Sequence, residues 1–477
     1  MSNEKSAIEQ LKAIPLPAGL IKLCNRIREA GGLGWLVGGS VRDMLLGQNP
    51  KDFDLEVYGL EADQLKILLT AMGRTESVGK QFGIQKLWMD NLEIDVALPR
   101  TERKTATGHC GFSIQTDPHL SPEKASLRRD FTINAMMFDP LDESLLDFHG
   151  GLQDLQAGTL RHVSPAFAED PLRPLRAMQF AARFQLSLHP DTALLCKGLL
   201  AEAEKLPTSR IWHEWKKWAL STHPSYGLAA LLDSGWLAIY PELKTMIGCD
   251  QAPHWHPEGT VWNHTLQVCD QAAMISSREK LPEETRLLLV LSSLCHDVGK
   301  PDTTFINDKG NICSPGHAEA GVAISRSFLK RIATPSRLVD LILPLVKEHI
   351  THLHGEPTAR AVRRLADRLM PANIELWEML VEADASGRYP APPSRPALIW
   401  LNLARKLKHQ HNRPEPLLTG QMLLELGERS GPGMGEILSK AYQAQLDGTI
   451  FDRPSAMQWY HDYRPWNQGL EEDTRGQ

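Results

Sequence analysis

The run WLVGGSVRDMLLGQNPKDFDLEV at residues 35–57 admits few local folds. Trp35-Leu36-Val37 is a short apolar run of the kind that forms a buried strand. Gly38-Gly39-Ser40 breaks it, and residues 41–46 carry apolar positions at helical spacing, with Gly47 as a C-terminal stop. Asn49-Pro50 marks a turn. Residues 52–57, DFDLEV, alternate polar and apolar as a half-buried strand does. The stretch predicts strand, glycine turn, short helix, turn and strand.

That order suits phosphate chemistry. Two glycines let backbone approach a ligand closely, and N–H groups at the helix start attract anions. Arg42, one turn into the helix, can reach the same anion. Asp52 and Asp54 point to one face of their strand, where two like charges favour a cation between them. Strand-borne aspartates beside an anion cradle point to Mg²⁺ and a nucleoside triphosphate. GGSVRD followed by a DxD strand resembles the head of the class II nucleotidyltransferases, the bacterial CCA-adding enzymes and poly(A) polymerases. The resemblance implies nucleotide addition to the 3′ end of tRNA from CTP and ATP. It places Asp52 and Asp54 on Mg²⁺, and Gly39 and Arg42 on the triphosphate.

Later stretches extend the resemblance. Residues 84–88 and 92–98 read as two strands joined by Asp90-Asn91. Asp95 on the second strand would complete a two-metal site and help activate a 3′-hydroxyl, with Glu93 as its rival. Residues 100–112, rich in polar residues and glycine, read as a mobile loop over the site and resemble a flexible loop of the family. LRRDFTINA at 127–135 matches a family motif in which Arg129 meets the triphosphate or ribose and Asp130 orients it or meets the sugar.

The run EDPLR at 169–173 enters a helix, where Asp170 suits the dipole and Pro171 the first turn. Cytosine and adenine each present an amino donor beside a ring-nitrogen acceptor. A carboxylate and a guanidinium at i and i+3 of one helix face can read that pair and reject guanine and uracil. Asp170 and Arg173 have this spacing, and the EDxxR motif of the family has this role. Arg176 continues the basic face; Gln179 stands where the family commonly has a further arginine. Successive helices follow to about residue 243, with Trp212, Trp215 and Trp218 expected in their core.

A second constellation occupies residues 251–390. His264 lies near a helix start, and the apolar helix at 287–294 ends in Cys295-His296-Asp297-Val298-Gly299-Lys300. His317 follows in a glycine-bounded loop, His349 on a later helix, and Asp384 on another. Imidazoles with carboxylates suit one or two divalent metals, Mg²⁺ or a transition ion. The ordered set resembles the HD phosphohydrolase domain. The resemblance makes His264, His296, Asp297 and Asp384 the core ligands, with His317 and His349 for a second metal. Lys300 is a candidate phosphate contact.

The 477 residues are enough for several domains. The expected fold is α+β. A mixed α/β nucleotidyltransferase head (1–160) precedes a helical neck (161–250), an HD domain (251–390) and a helical RNA-binding tail (391–477) beyond a proline-rich linker. The net charge of −6 argues against wholesale coating of nucleic acid but allows a local basic track, such as residues 405–413. Seven scattered cysteines without a CxxC pair suggest reduced thiols, and a polar N-terminus is unlike a signal peptide. The expectation is a cytoplasmic enzyme with tRNA, CTP and ATP as partners and no membrane association. Alternatives are a poly(A) polymerase, an enzyme adding only A or only CC, and an HD phosphohydrolase whose head merely binds RNA ends.

Overall fold

The computed structural model describes residues 2–78, 84–104, 112–390, 392 and 394–473. The chain forms two compact units, Met1–Tyr240 and Pro241–Gln477.

The first unit is built on a seven-stranded sheet. Its strands are β1 (Leu33–Val37), β2 (Phe53–Tyr58), β3 (Arg74–Val78), β4 (Ile84–Met89), β5 (Leu92–Ala97), β8 (Met137–Asp139) and β9 (Ser144–Leu146), in the order β3-β4-β5-β2-β1-β8-β9. Only the β2–β5 pair is parallel among these, and its register sets Asp54 beside Asp95. Asp90 and Asn91, at φ 49° and 62°, make the tight β4–β5 turn, a conformation that suits hairpin twist. The sheet buries Leu36, Leu55, Val57, Ile94 and Val96 against Leu20, Leu23 and Ile27 of the helix Ala18–Glu29.

Strands β6 (Arg100–Lys104) and β7 (Phe112–Thr116) form a separate antiparallel pair. This corrects the reading of residues 100–104 as loop: backbone pairing organises a polar segment that has no apolar alternation to announce it. Residues 105–111 lie outside the described residues.

Helix α1 (Gly39–Leu45) follows β1, with Gly38 at φ 73° as its N-cap. Helix α2 (Arg173–Phe184) begins at Arg173, so Asp170 precedes it instead of sharing its face, a correction to the expected i, i+3 pair. The side chain of Asp170 accepts from the Leu172 N–H at 3.0 Å and so stabilises the bend into the helix. Two helices, Thr208–Ala219 and Pro224–Asp233, pack on α2. Trp215 and Trp218 are fully buried, while Trp212 is half-buried.

In the second unit, α3 (Val261–Arg278), α4 (Glu283–Cys295), α5 (His317–Arg331), α6 (Ser336–Glu348) and α7 (Ile374–Ser386) pack together. Residues 287–295 of α4 are all buried, which matches their continuous apolar sequence. His317 opens α5 rather than lying in a loop, since Gly316 at φ 72° ends the preceding segment. His349 caps α6. Further helices follow, the last described one spanning Arg453–Asp473. Among the described residues no helix is long and apolar enough to cross a membrane.

Candidate functional site

The first site is a cleft of about 780 Å³ in the Met1–Tyr240 unit. Gly38, Gly39, Asp52, Asp54, Arg129, Asp170, Arg173 and Arg176 all line it. Gly38 is favoured by its backbone conformation, while the space around it would leave a Cβ in ordinary contact. Its φ of +73° disfavours a side chain, and an added Cβ would lie 3.4 Å from Arg129 Nη1 and 3.5 Å from Asp54 Oδ2.

Enclosure in the cleft raises the Asp54 carboxyl above the usual range; Arg129 pulls it down, while Asp95 and Asp52 push it up. A carboxylate whose charge is opposed by burial and by neighbouring acids is what a hard, oxygen-seeking cation relieves. Asp52 and Asp54 line the cleft, with Asp95 beside Asp54 on the neighbouring strand, so these carboxylates could hold a divalent cation. Lys86 Nζ lies 3.5 Å from Asp95. Glu93 is tied to the same lysine and to the Trp88 indole N–H at 3.0 Å.

The arginines are held by a set of acids and carbonyls. Arg129 donates to Glu56 Oε2 at 2.9 Å, and Arg128 Nη2 lies 3.4 Å from Glu56 Oε1. Arg173 donates to the Ala166 and Arg128 carbonyls at 2.8 and 2.7 Å. Arg176 grips Asp130 through Nε and Nη2 at 2.8 and 2.6 Å, and Asn134 donates to the other oxygen of Asp130. Burial works against the Asp130 charge, but Arg176 and Asn134 outweigh it and hold the carboxyl at about 2. Arg42 is buried; it donates to Asp43 and Asn134 and lies 4.2 Å from the Phe184 ring centre. It forms part of the cleft wall with three of its N–H groups already engaged.

Four of these supports were missed in the sequence: Glu56, Asn134, Asp43 and Arg210, which donates to Asp170 Oδ2 at 3.1 Å. Glu56 had a signal. It continues the Asp52-x-Asp54 alternation on one strand face.

The second site lies in the Pro241–Gln477 unit. Asp297 Oδ2 is 3.1 Å from His296 Nε2, and Asp297 Oδ1 is 3.4 and 3.7 Å from Nε2 of His317 and His349. His264 Nε2 is 3.0 Å from Asp384 Oδ1. Ligand atoms within each of the sets His264–His296–Asp297 and Asp297–His317–His349 lie within 4.8 Å of one another, sharing Asp297. Each histidine presents its Nε2 because its Nδ1 is otherwise engaged. The Nδ1 partners of His296, His317 and His349 are the carbonyls of Ser293, Ser314 and Val346, at 2.7, 2.8 and 2.7 Å. For His264 the partner is Glu258, at 2.8 Å. That pattern leaves four Nε2 atoms and two carboxylates facing inward, a donor set that fits divalent metal.

Burial disfavours the charged form of His264, but Asp384 and Glu258 overcome it and hold the imidazole up at about 9. Burial also opposes the Asp297 charge, and His296 and Lys300 keep that carboxyl well below its usual range. Lys300 Nζ sits 2.6 Å from Asp297 Oδ2 and donates to Gln251 at 2.7 Å. Gly299 is needed for close approach, since a Cβ there would meet the His317 carbonyl at 2.1 Å and the Gly321 nitrogen at 2.5 Å. Glu258, unassigned from sequence, lies just before the helix that carries His264.

Residues 34–161 match the poly A polymerase head domain, and residues 261–398 match the HD domain. The chain is 36% identical over 362 residues to the multifunctional CCA protein of Nitrosococcus oceani, covering 74% of this chain and 84% of that one. It is 35% identical over 370 residues to the multifunctional CCA protein of Aliivibrio salmonicida, covering 74% and 85%. The chain belongs to the multifunctional CCA protein family. The fold agrees with two solved CCA-adding enzymes at lower identity. The Bacillus stearothermophilus CCA-adding enzyme in complex with CTP superposes with a TM-score of 0.63 at 20% identity, over 96% of this chain and 100% of that one. The Thermotoga maritima CCA-adding enzyme complexed with tRNA gives 0.59 at 20% identity, over 95% and 98%. The α+β architecture, with its sheet-based head and helical C-terminal part, is thus that of this family.

Proposed function

We propose that this chain is a tRNA nucleotidyltransferase that adds or repairs the 3′-terminal CCA from CTP and ATP, and that its HD region is a metal-dependent phosphohydrolase. The observation that carries the first activity is the convergence in one cleft of Gly38-Gly39, Asp52, Asp54 and Arg129 held by Glu56, with Asp95 set beside Asp54 by the β2–β5 register. The domains are read as head 1–160, neck 161–250, HD 251–390 and tail 391–477.

Asp52 and Asp54 would hold Mg²⁺, with Asp95 beside them. The ion supplies charge stabilisation at the α-phosphate and lowers the pKa of an attacking hydroxyl. Asp95 would help bind or activate the primer 3′-hydroxyl, which attacks the α-phosphate in line as pyrophosphate leaves. Arg129 and the Gly39 backbone hold the triphosphate. Asp170 accepts from the base amino group and Arg173 donates to the ring nitrogen, each locked in place by its own protein contacts. Arg176 acts by fixing Asp130, and Arg42 by forming the cleft wall. Most of the rate gain comes from preorganised charge and position.

In the HD region His264, His296, Asp297 and Asp384 would hold one divalent metal, and His317 and His349 with Asp297 a second. The N/O donor set suits a transition ion or Mg²⁺. Lys300, held by Asp297 and Gln251, would be the phosphate contact. Among the described residues the six cysteines are free thiols, which supports a cytoplasmic setting.

The test uses tRNA transcripts lacking CCA, CA or A, each with Mg²⁺ and CTP, ATP or both, resolved at single-nucleotide length. Completion and arrest at CCA on every transcript is the expected result. ATP-only extension by one residue would reassign the chain as an A-adding enzyme, and an A ladder as a poly(A) polymerase. No extension, with hydrolysis of 2′,3′-cyclic phosphates retained, would leave the HD site as the main activity.

A further inference from the structure

Helix α2 presents Arg173, Arg176, Gln179 and Arg183 to the head cleft at intervals of three or four residues. The arginines have evident engagements. Arg173 is held by two carbonyls, Arg176 by Asp130, and Arg183 lies 4.9 Å from the Phe184 ring centre. Gln179 differs. Its side chain is fully buried and lines the cleft, yet neither Oε1 nor Nε2 has a hydrogen-bond partner among the described residues. An amide buried with both ends unsatisfied destabilises the free protein, and an apolar residue of similar volume would not. Such a group asks for a ligand that completes it.

We propose that Gln179 hydrogen-bonds a sugar hydroxyl of the nucleotide in this cleft and makes the site read the sugar as well as the base. This rests on the nucleotidyltransferase reading above. An amide offers one donor edge and one acceptor edge, so its matching partner both donates and accepts. Phosphate oxygens only accept, and the surrounding guanidinium groups are stronger donors to them. Asp170 and Arg173 already supply the acceptor and donor for a base edge. A sugar hydroxyl is the remaining part of a nucleotide that is neutral and does both. An arginine at this position would bring donors alone, so glutamine here is a change in what is recognised, not merely a weaker cation.

The experiment measures equilibrium binding of CTP, 2′-deoxy-CTP, 3′-deoxy-CTP and tripolyphosphate, with Mg²⁺ and no primer, to full-length wild type, Q179L and Q179M. Wild type is expected to bind CTP more tightly than one of the deoxy analogues by about tenfold, the worth of one hydrogen bond. Both variants should lose that factor for CTP, bind that analogue and tripolyphosphate as wild type does, and melt at the same temperature as the wild type or higher. Equal weakening toward all nucleotides, weakening toward tripolyphosphate, or unchanged CTP binding would overturn the inference. Wild type that binds none of the nucleotides would instead remove the nucleotidyltransferase reading beneath it.

Discussion

Glu258 lies 2.8 Å from Nδ1 of His264, and this contact decides which ring nitrogen faces the HD cluster. The Glu258 side chain is only 4% exposed, so its charge acts on the imidazole with little screening by water. Glu258 itself is held at about 2, burial opposing the charge and His264 restoring it. A carboxylate behind a ligating histidine fixes its tautomer and raises its basicity. Glu258→Ala should therefore weaken Mn²⁺ or Co²⁺ binding by about 10–100-fold. Titration calorimetry on metal-stripped full-length protein would check this. An unchanged Kd would mean that His264 is not a ligand or needs no orientation.

The two sites lie in separate compact units, so their activities should separate by mutation. Asp54→Ala removes the carboxylate that the β2–β5 register sets beside Asp95. Nucleotide addition to tRNA lacking CCA should fall by at least about 10²–10³-fold, as when a key charge-stabilising group is lost. Metal-dependent phosphatase turnover by the same preparation should match wild type. Loss of both activities in a folded variant would contradict two independent sites.

Asp130 gives a stability test with a definite sign. Its folded carboxyl, at about 2, lies below the ordinary value of 3.8. The stabilisation is present above pH 3.8 and is lost as pH falls through about 2. That difference corresponds to about 2 kcal/mol. Asp130→Asn also leaves Arg176 without its carboxylate. The urea midpoint of the variant should be lower than wild type at pH 6, and the gap should hold down to about pH 4 and then narrow as the pH falls toward 2. A gap independent of pH would mean that the ion pair adds nothing in the folded head.

Much of this was legible in the sequence because turn chemistry and strand alternation are local. Gly38-Gly39, the Asp90-Asn91 turn and the Asp52-x-Asp54 alternation each specify backbone within a few residues. The HD histidines were legible through their order along the chain. Other features depend on partners distant in sequence. Glu56 meets Arg129 only once β2 is placed in the sheet, and Arg210 meets Asp170 only after a helix returns across α2. The strand β6 was read as loop because its pairing with β7 is made by backbone, to which side-chain pattern gives no clue. The basic run at 405–413 illustrates the same limit. Arg405 and Arg413 pair with Glu375 and Asp367 at 3.0 and 3.5 Å, so part of that charge serves the unit itself.

Base selection offers the last prediction. Asp170 is oriented from two sides, by the Leu172 N–H and by Arg210 Nη2 at 3.0 and 3.1 Å. Arg173 is oriented by two carbonyls, which leaves its planar group at a fixed tilt. A site built from such fixed donors and acceptors rejects a base that would leave them unpaired, because each unpaired group is costly. Lysine cannot reproduce the forked geometry. Arg173→Lys should therefore lower incorporation of CMP and AMP and narrow the preference for CTP over UTP, by about 10²-fold if two hydrogen bonds are lost. Arg210→Gln leaves Asp170 with its backbone contact and should cost only about tenfold, the scale of one hydrogen bond. Single-turnover incorporation on tRNA lacking CCA, with CTP and UTP compared for each variant, measures both. If R173K kept the wild-type CTP-to-UTP ratio while slowing both equally, Arg173 would be holding the triphosphate or the fold, and base reading would have to lie elsewhere.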